Sequence, residues 1–149
     1  MCCKELISLL EAEDKNECFS NSTVAKEHNK EFRIKRSKKQ SVCKVQIDDC
    51  LMTSEATKKC DYFFRICETG ENLLVELKGT DVTRAVNQIV ETFKMLNSKL
   101  KQPPQDYCGY IVSRAVPKAE LQFRKAKEKA FKDHGVLIKK ESQKLTIRR

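Results

Sequence analysis

The chain has 149 residues, enough for one domain, with 40% hydrophobic and 34% charged positions that suit a small α/β domain with a wet surface. Thirty basic residues against twenty-one acidic ones give a net charge of +9, which puts a polyanion first among partner classes, ahead of a merely solubilising lysine surface. No run of eighteen apolar residues occurs, and the opening MCCKELISLLEAEDK has acidic residues and no small-residue cleavage site, so neither a membrane span nor a signal peptide is expected and the expected compartment is the cytoplasm.

Residues 2–13 carry Leu6, Ile7, Leu9 and Leu10 on one side and Lys4, Glu5, Glu11 and Glu13 on the other, which predicts an amphipathic helix. Residues 14–30 are polar and lack a period, so they read as a loop, or as a short second helix around Val24 to Asn29. Residues 31–36 (EFRIKR) alternate weakly, as a strand or a helix end, and Ser37-Lys38-Lys39-Gln40 is a solvated basic turn. Val42 to Met52 predicts a strand broken at Asp48-Asp49, and residues 53–59 a turn. Cys60 to Cys67 (CDYFFRIC) is a second strand, Thr69-Gly70-Glu71-Asn72 a tight connection, and Leu73 to Lys78 a third strand; together they predict an antiparallel meander. Thr80 or Asp81 is a good helix cap, and Val82, Ala85, Val86, Ile89, Phe93, Leu96 and Leu100 form one helical stripe ended by Pro103-Pro104. Tyr107 to Arg114 predicts a fourth strand, residues 118–133 a basic helix stopped by Gly135, and residues 136–138 a short strand. Residues 139–149 read as a basic tail with a weak strand at 145–147.

The cysteines are Cys2, Cys3, Cys18, Cys43, Cys50, Cys60, Cys67 and Cys108. None forms a CxxC pair and the spacings match no zinc ribbon or finger, so they are expected to be reduced, small, buried hydrophobes.

The chemistry centres on the second and third strands. Side chains alternate along a strand, so Glu76 and Lys78 point to one face and Leu77 to the other. Fourteen residues separate Asp61 from Glu76, and a hairpin would lay the two carboxylates side by side. Two carboxylates and a lysine at one sheet edge can hold a divalent cation and orient a water; the competing reading is an ordinary surface pair of Glu76 and Lys78 on an edge strand. Asp48 and Asp49 either join this site or form a turn. Gln88, at the edge of the helical stripe, either reaches the site or is an ordinary helix amide. Lys118, Arg124, Lys125, Lys127, Lys129 and Lys132 form a basic helix that either tracks phosphates or is a solvated face, and few aromatics interleave with it for base stacking.

The order helix, three strands, helix, strand, with Asp61 on the second strand and Glu76-Leu77-Lys78 on the third, resembles the PD-(D/E)xK, or restriction-endonuclease-like, superfamily. The resemblance covers about residues 2–115. Cys60 stands where many members have proline. Gln88, ten residues beyond Lys78, resembles the glutamine of the RecB-type QxxxY motif, with Thr92 in place of its tyrosine. The resemblance implies one domain over 1–149 with an αβββαβ core, a central mixed four-stranded sheet flanked by helices, and an extra C-terminal helix and strand. It implies a magnesium-dependent (or manganese-dependent) nuclease of the endonuclease kind that hydrolyses phosphodiester bonds, in DNA before RNA. Asp61, Glu76 and the Leu77 carbonyl would hold the metal, Lys78 would position the attacking water, and Gln88 would assist; Glu11 or Glu13 is a further acid from the first helix. Lys118, Arg124, Lys125 and Lys127 are the expected nucleic-acid contacts, and a homodimer or partner subunit would supply specificity. A catalytically silent nucleic-acid-binding module or a protein-interaction module on the same fold is the alternative.

Overall fold

The computed structural model of the chain describes residues 2–53, 59–77, 81–114 and 119–149. They form a mixed α/β structure with two sheets. In chain order the elements are α1 (Cys2–Leu9), a 3-10 segment (Glu13–Cys18), β1 (Phe19–Ser20), β2 (Val24–Glu27), β3 (Lys30–Lys35), β4 (Val42–Gln46), β5 (Tyr62–Ile66), β6 (Glu71–Glu76), α2 (Val82–Leu100), β7 (Tyr107–Ser113), α3 (Ala119–His134), β8 (Leu137–Ser142) and β9 (Lys144–Arg148). No helix among the described residues is long and apolar enough to cross a membrane.

The larger sheet has the order β1-β4-β5-β6-β7-β8. Strands β4, β5 and β6 form the expected antiparallel meander, and β7 and β8 add in parallel. The sheet thus has six strands rather than the four expected. Strand β6 lies in the middle, which explains its nearly continuous apolar run: Asn72 through Glu76 are all buried. Successive side chains feed opposite layers. Leu74 packs with Phe63, Val86, Ile89 and Phe93 beneath α2, whereas Leu73, Val75 and Leu77 pack on the other face with Phe64 and Tyr110.

Helix α2 buries the stripe read from its sequence, Val82, Ala85, Val86, Ile89, Phe93 and Leu96. Asp81 caps it, its Oδ1 accepting from the Arg84 N–H at 3.0 Å. Gly109 on β7 lets the helix approach closely, since a Cβ there would lie 2.8 Å from Ile89 Cγ2 and 3.1 Å from Ile138 Cγ1.

The opposite face of the large sheet is covered by a second sheet, β2-β3-β9. The sequence pattern pointed here to a loop, a weak strand and a basic tail. Strands β2 and β3 are a hairpin closed by His28 and Asn29, both at positive φ (47° and 65°), the geometry of a two-residue type I′ turn. The C-terminal segment is not a tail: β9 pairs in parallel with β3. Phe32, fully buried, lies 5.3 Å from Phe64 and 5.2 Å from Tyr110, ring centre to ring centre. Burying such a ring contributes about 2–3 kcal/mol, which explains why a largely polar sheet docks.

Other boundaries shift. Helix α1 stops at Leu9, and Glu11 at φ 54° turns the chain out of the helix expected to reach residue 13. Strand β4 stops at Gln46, because residues 47–52 fold into a turn with Asp49 at φ 60°. Strand β6 stops at Glu76; Lys78, placed at its end by the sequence reading, lies outside the described residues.

The expectation of uniformly reduced cysteines is corrected for six of them. Cys2–Cys67, Cys3–Cys43 and Cys18–Cys50 are disulfides, with Cα separations of 5.7, 5.1 and 5.7 Å. The adjacent Cys2 and Cys3 fasten α1 to the end of β5 and to β4. Their partners are 40 or more residues away in sequence, which left no local spacing to read. Cys60 and Cys108 are free thiols, as expected of buried small hydrophobes. Prediction: in protein unfolded without reductant, a thiol reagent labels Cys60 and Cys108 alone, and with reductant it labels all eight cysteines; peptide mass spectrometry finding Cys18 or Cys50 labelled without reductant would contradict the pairing.

Candidate functional site

Three chain segments meet at one end of the large sheet: the residues after β4, those before β5, and the end of β6. The β5–β6 register runs Tyr62↔Val75, so Asp61 and Glu76 are the next facing pair. The two exchange hydrogen bonds around the end of the hairpin. The Asp61 N–H donates to Glu76 Oε1 at 3.1 Å, and the Leu77 N–H donates to Asp61 Oδ2 at 2.8 Å. Asp61 is 4% exposed and Glu76 3%. The sequence reading therefore placed these two carboxylates correctly beside one another. Glu76 shares the parity of Leu74, whose face lies under α2. Leu77 points into the opposite apolar layer.

Burying carboxylates is costly unless their oxygens are satisfied. Two backbone donors supply part of that satisfaction here, and they also fix the positions of the acids. The geometry is set by main chain rather than by flexible side chains, so the two acids are held together by the hairpin itself.

Helix α2 tightens the segment leading into Asp61. Gln88 Nε2 donates to the Lys59 carbonyl at 3.2 Å. One turn on, Thr92 Oγ1 accepts from the Cys60 N–H at 2.8 Å while donating to the Gln88 carbonyl at 2.7 Å. Gln88 therefore reaches the site region, as the sequence allowed, but by gripping the backbone of residue 59. Thr92, noted in the sequence as a departure from a tyrosine motif, performs the matching task on residue 60. Its polar side chain, fully buried at helical spacing four from Gln88, was the signal.

Cys60 sits among these groups and is fully buried. Burial first, then the charges of Glu76 and Asp61, push its thiol up, so it stays protonated at neutral pH.

After β4, the Ile47 and Asp48 N–H groups point at the Asp61 carbonyl, at 2.9 and 3.4 Å. Asp48 thus lies next to Asp61, and its Oδ1 is 3.8 Å from Lys59 Nζ. The sequence left Asp48 divided between site and turn; the structure places it in the turn, with its N–H on the Asp61 carbonyl. Lys59, 8% exposed, was missed because a lysine at the end of a polar stretch reads as solvated. Among the described residues no group of three or more His, Cys, Asp or Glu is arranged to hold a metal ion. Asp61 and Glu76 are a pair of hard oxygen donors, a set that suits magnesium or manganese rather than zinc.

Other expected contributors separate. Glu11 is exposed and pairs with Lys99 at 3.0 Å. Glu13 lies in the 3-10 segment, with no contact recorded to the pair. Lys118 lies outside the described residues. Lys125 lines a groove of about 670 Å3 together with Asp81, Thr83, Gln122, Ala126 and Lys129. Asp81, the cap of α2, thus lies on the wall of this groove. Lys127 turns away, its Nζ 5.5 Å from the centre of the Phe123 ring, and Arg124 is exposed. Lys129, four residues from Lys125, belongs with it on the groove. A larger cavity, about 810 Å3, lies away from the acids beside Cys2, Arg36, Lys38, Ser41 and Glu68.

No protein-family model, curated protein or solved structure gives a significant match to the chain.

Prediction: Thr92→Val leaves the buried Cys60 N–H without its acceptor and lowers unfolding free energy by about 1–3 kcal/mol. Thr92→Ser, which keeps the hydroxyl, loses clearly less; equal denaturation curves for the valine and serine variants would refute the role.

Proposed function

We propose that the chain is a metal-dependent nuclease of the PD-(D/E)xK type, hydrolysing phosphodiester bonds, in DNA before RNA. The observation that carries this reading is the buried Asp61–Glu76 pair, locked by reciprocal backbone hydrogen bonds at the end of a central strand. With the 3-10 segment and β1, β2 and β3 inserted between α1 and β4, the order α1, β4, β5, β6, α2, β7 is compatible with the αβββαβ core that the sequence resemblance implies, and β7 runs parallel to β6. The net charge of +9 and the Lys125–Lys129 groove beside the α2 cap support a polyanionic substrate.

In this reading the carboxylates of Asp61 and Glu76 would hold magnesium or manganese, with the Leu77 carbonyl as a neutral ligand. A cation there supplies Lewis-acid stabilisation of charge on the scissile phosphate and lowers the pKa of a bound water. Lys78, two residues after Glu76 in sequence, would orient the attacking water and add positive charge near the phosphate. Water oxygen bonds to phosphorus, the bond to the leaving sugar oxygen breaks, and that oxygen takes up a proton. Gln88 and Thr92 contact the backbone of residues 59 and 60, so their part is to hold Asp61 in place. Lys125 and Lys129 bind backbone phosphates of the substrate, and a second copy of the chain or a partner subunit supplies sequence or structure preference.

The disulfides Cys2–Cys67, Cys3–Cys43 and Cys18–Cys50 weigh against the cytoplasm expected from the sequence, and the nuclease reading does not depend on the compartment. Protein taken from cells with its disulfides intact would weigh against that compartment without touching the chemistry. The second reading, a nucleic-acid-binding module without turnover, keeps the groove and loses the acids' role.

Prediction: the purified protein cleaves plasmid or linear DNA with magnesium or manganese and not with chelator. Asp61→Ala, Glu76→Ala and Lys78→Ala each lower the rate by at least about a thousandfold, within the span that transition-state charge stabilisers and metal sites supply, while DNA binding in gel shift persists. Unchanged cleavage in the Asp61 and Lys78 variants would reject the site, and binding without cleavage in the wild type would favour the silent module.

A further inference from the structure

The cavity of about 810 Å3 beside α1 has the volume of a small-ligand site and shares no lining residue with the carboxylate pair. A disulfide forms part of its wall, since both Cys2 and Cys67 line it. The two sulfurs differ in surroundings. Cys67 is half-buried, whereas Cys2 is 8% exposed, its Sγ 3.8 Å from the Ser41 carbonyl oxygen and 3.9 Å from that of Arg65. Arg36, Lys38 and Lys39, from the loop between β3 and β4, line the same space. That loop is braced: Arg36 Nη1 donates to the Gln40 carbonyl at 2.8 Å, and the Ser41 N–H and hydroxyl donate to the Glu68 carboxylate at 2.6 and 2.8 Å. The bonds from Ser41 hold the Glu68 carboxyl below the usual carboxylate range and occupy its oxygens. Glu5 is the other carboxylate of the wall. Lys38 and Lys39 are exposed and make no ion pair among the described residues. A reactive sulfur–sulfur bond thus lies in a cavity whose uncommitted charge is positive.

We propose that this cavity is a site of thiol–disulfide exchange with a small thiol that carries carboxylates, and that Cys67 is the sulfur attacked. Lys38, Lys39 and Arg36 draw the carboxylates of the thiol, and its thiolate bonds to Cys67 Sγ. The Cys2–Cys67 bond breaks, its electron pair leaves on Cys2 Sγ, and that sulfur takes a proton from water. The products are a mixed disulfide on Cys67 and a free Cys2 thiol, so no further oxidant or reductant enters. The Cys2 thiol then donates to the carbonyls of Ser41 or Arg65 that it already lies against. The other bond from the start of α1 to the sheet, Cys3–Cys43, is not equivalent. Cys43 is fully buried in the apolar core and is not among the residues lining the cavity, so attack on Cys3 would leave a thiolate away from water. Exchange at Cys67 therefore cuts one covalent tie of α1 and leaves the next one closed. The inference is independent of the nuclease reading.

The test treats the purified full chain, folded and unreduced, with reduced glutathione as the anionic thiol and with 2-mercaptoethanol as a neutral one, each rate being divided by that of the same thiol on a small disulfide standard. Acid-quenched samples are alkylated and mapped by peptide mass spectrometry. Glutathione is expected to appear first on Cys67, with Cys2 alkylated, while Cys18–Cys50, which lies outside the cavity, stays closed. The double variant Lys38→Gln/Lys39→Gln, made on exposed loop positions, is expected to react about fivefold more slowly with glutathione, the scale for two unit charges about 8 Å away in a water-like dielectric. Its rate with 2-mercaptoethanol is expected to match wild type, and added salt is expected to slow glutathione alone. Equal slowing with both thiols, an unchanged glutathione rate in the variant, or glutathione arriving first on another cysteine overturns the inference. Free Cys2 and Cys67 thiols in the untreated protein overturn it as well.

Discussion

Everything at the candidate site depends on a two-way exchange between main chain and carboxylate at the end of the β5–β6 hairpin. Asp61 gives its N–H to Glu76, and Leu77 gives its N–H to Asp61. Each acid is thereby anchored by the neighbouring strand, and neither can swing away without leaving a buried donor unsatisfied. Such an unmade bond costs about 1–3 kcal/mol, comparable with a noticeable fraction of the stability of a domain this size. The acids are kept close by the same bonds that end the hairpin.

The rest of the fold makes that exchange rigid. Strand β6 is central, so its end cannot fray as an edge strand's would. Helix α2 starts just past it and returns, one and a half to three turns along, to hold residues 59 and 60 through Gln88 and Thr92. Gly109 permits the close helix–sheet approach that brings those side chains within reach. The small sheet of β2, β3 and β9 takes no direct part. By covering Phe64, Leu73, Val75 and Leu77 it buries the back of the strands that carry the acids. Two carboxylates, Asp61 and Glu76, are buried at the strand ends, while Lys125 and Lys129 lie exposed on the groove wall.

Much of this was legible before any coordinates. The meander, the existence of β7, the capped α2 with its apolar stripe, and the meeting of Asp61 with Glu76 all follow from local periodicity and from strand parity, which are nearest-neighbour properties of the chain. What escaped depends on distant partners. Strands β2 and β9 are short and polar, and they are strands because Phe32, Ile34 and Ile147 find the back of a sheet built from other segments. The six paired cysteines lie 32 to 65 residues apart, so no spacing announced them. Lys59 looked solvated because its partner, Asp48, sits across a turn whose shape is fixed by a positive φ at Asp49 and by Lys15 and Cys18 from far upstream. Gln88 was found by its spacing, but its contact, a backbone carbonyl rather than substrate or metal, was not.

The central claim is that Asp61 and Glu76 jointly hold one divalent cation. Crystals grown with manganese and measured for its anomalous scattering test this most directly. The account predicts one strong peak about 2.0–2.3 Å from a carboxylate oxygen of each acid, the range for hard cations with oxygen ligands. Well-ordered crystals with no peak between the two acids, or with manganese bound only elsewhere, would contradict it.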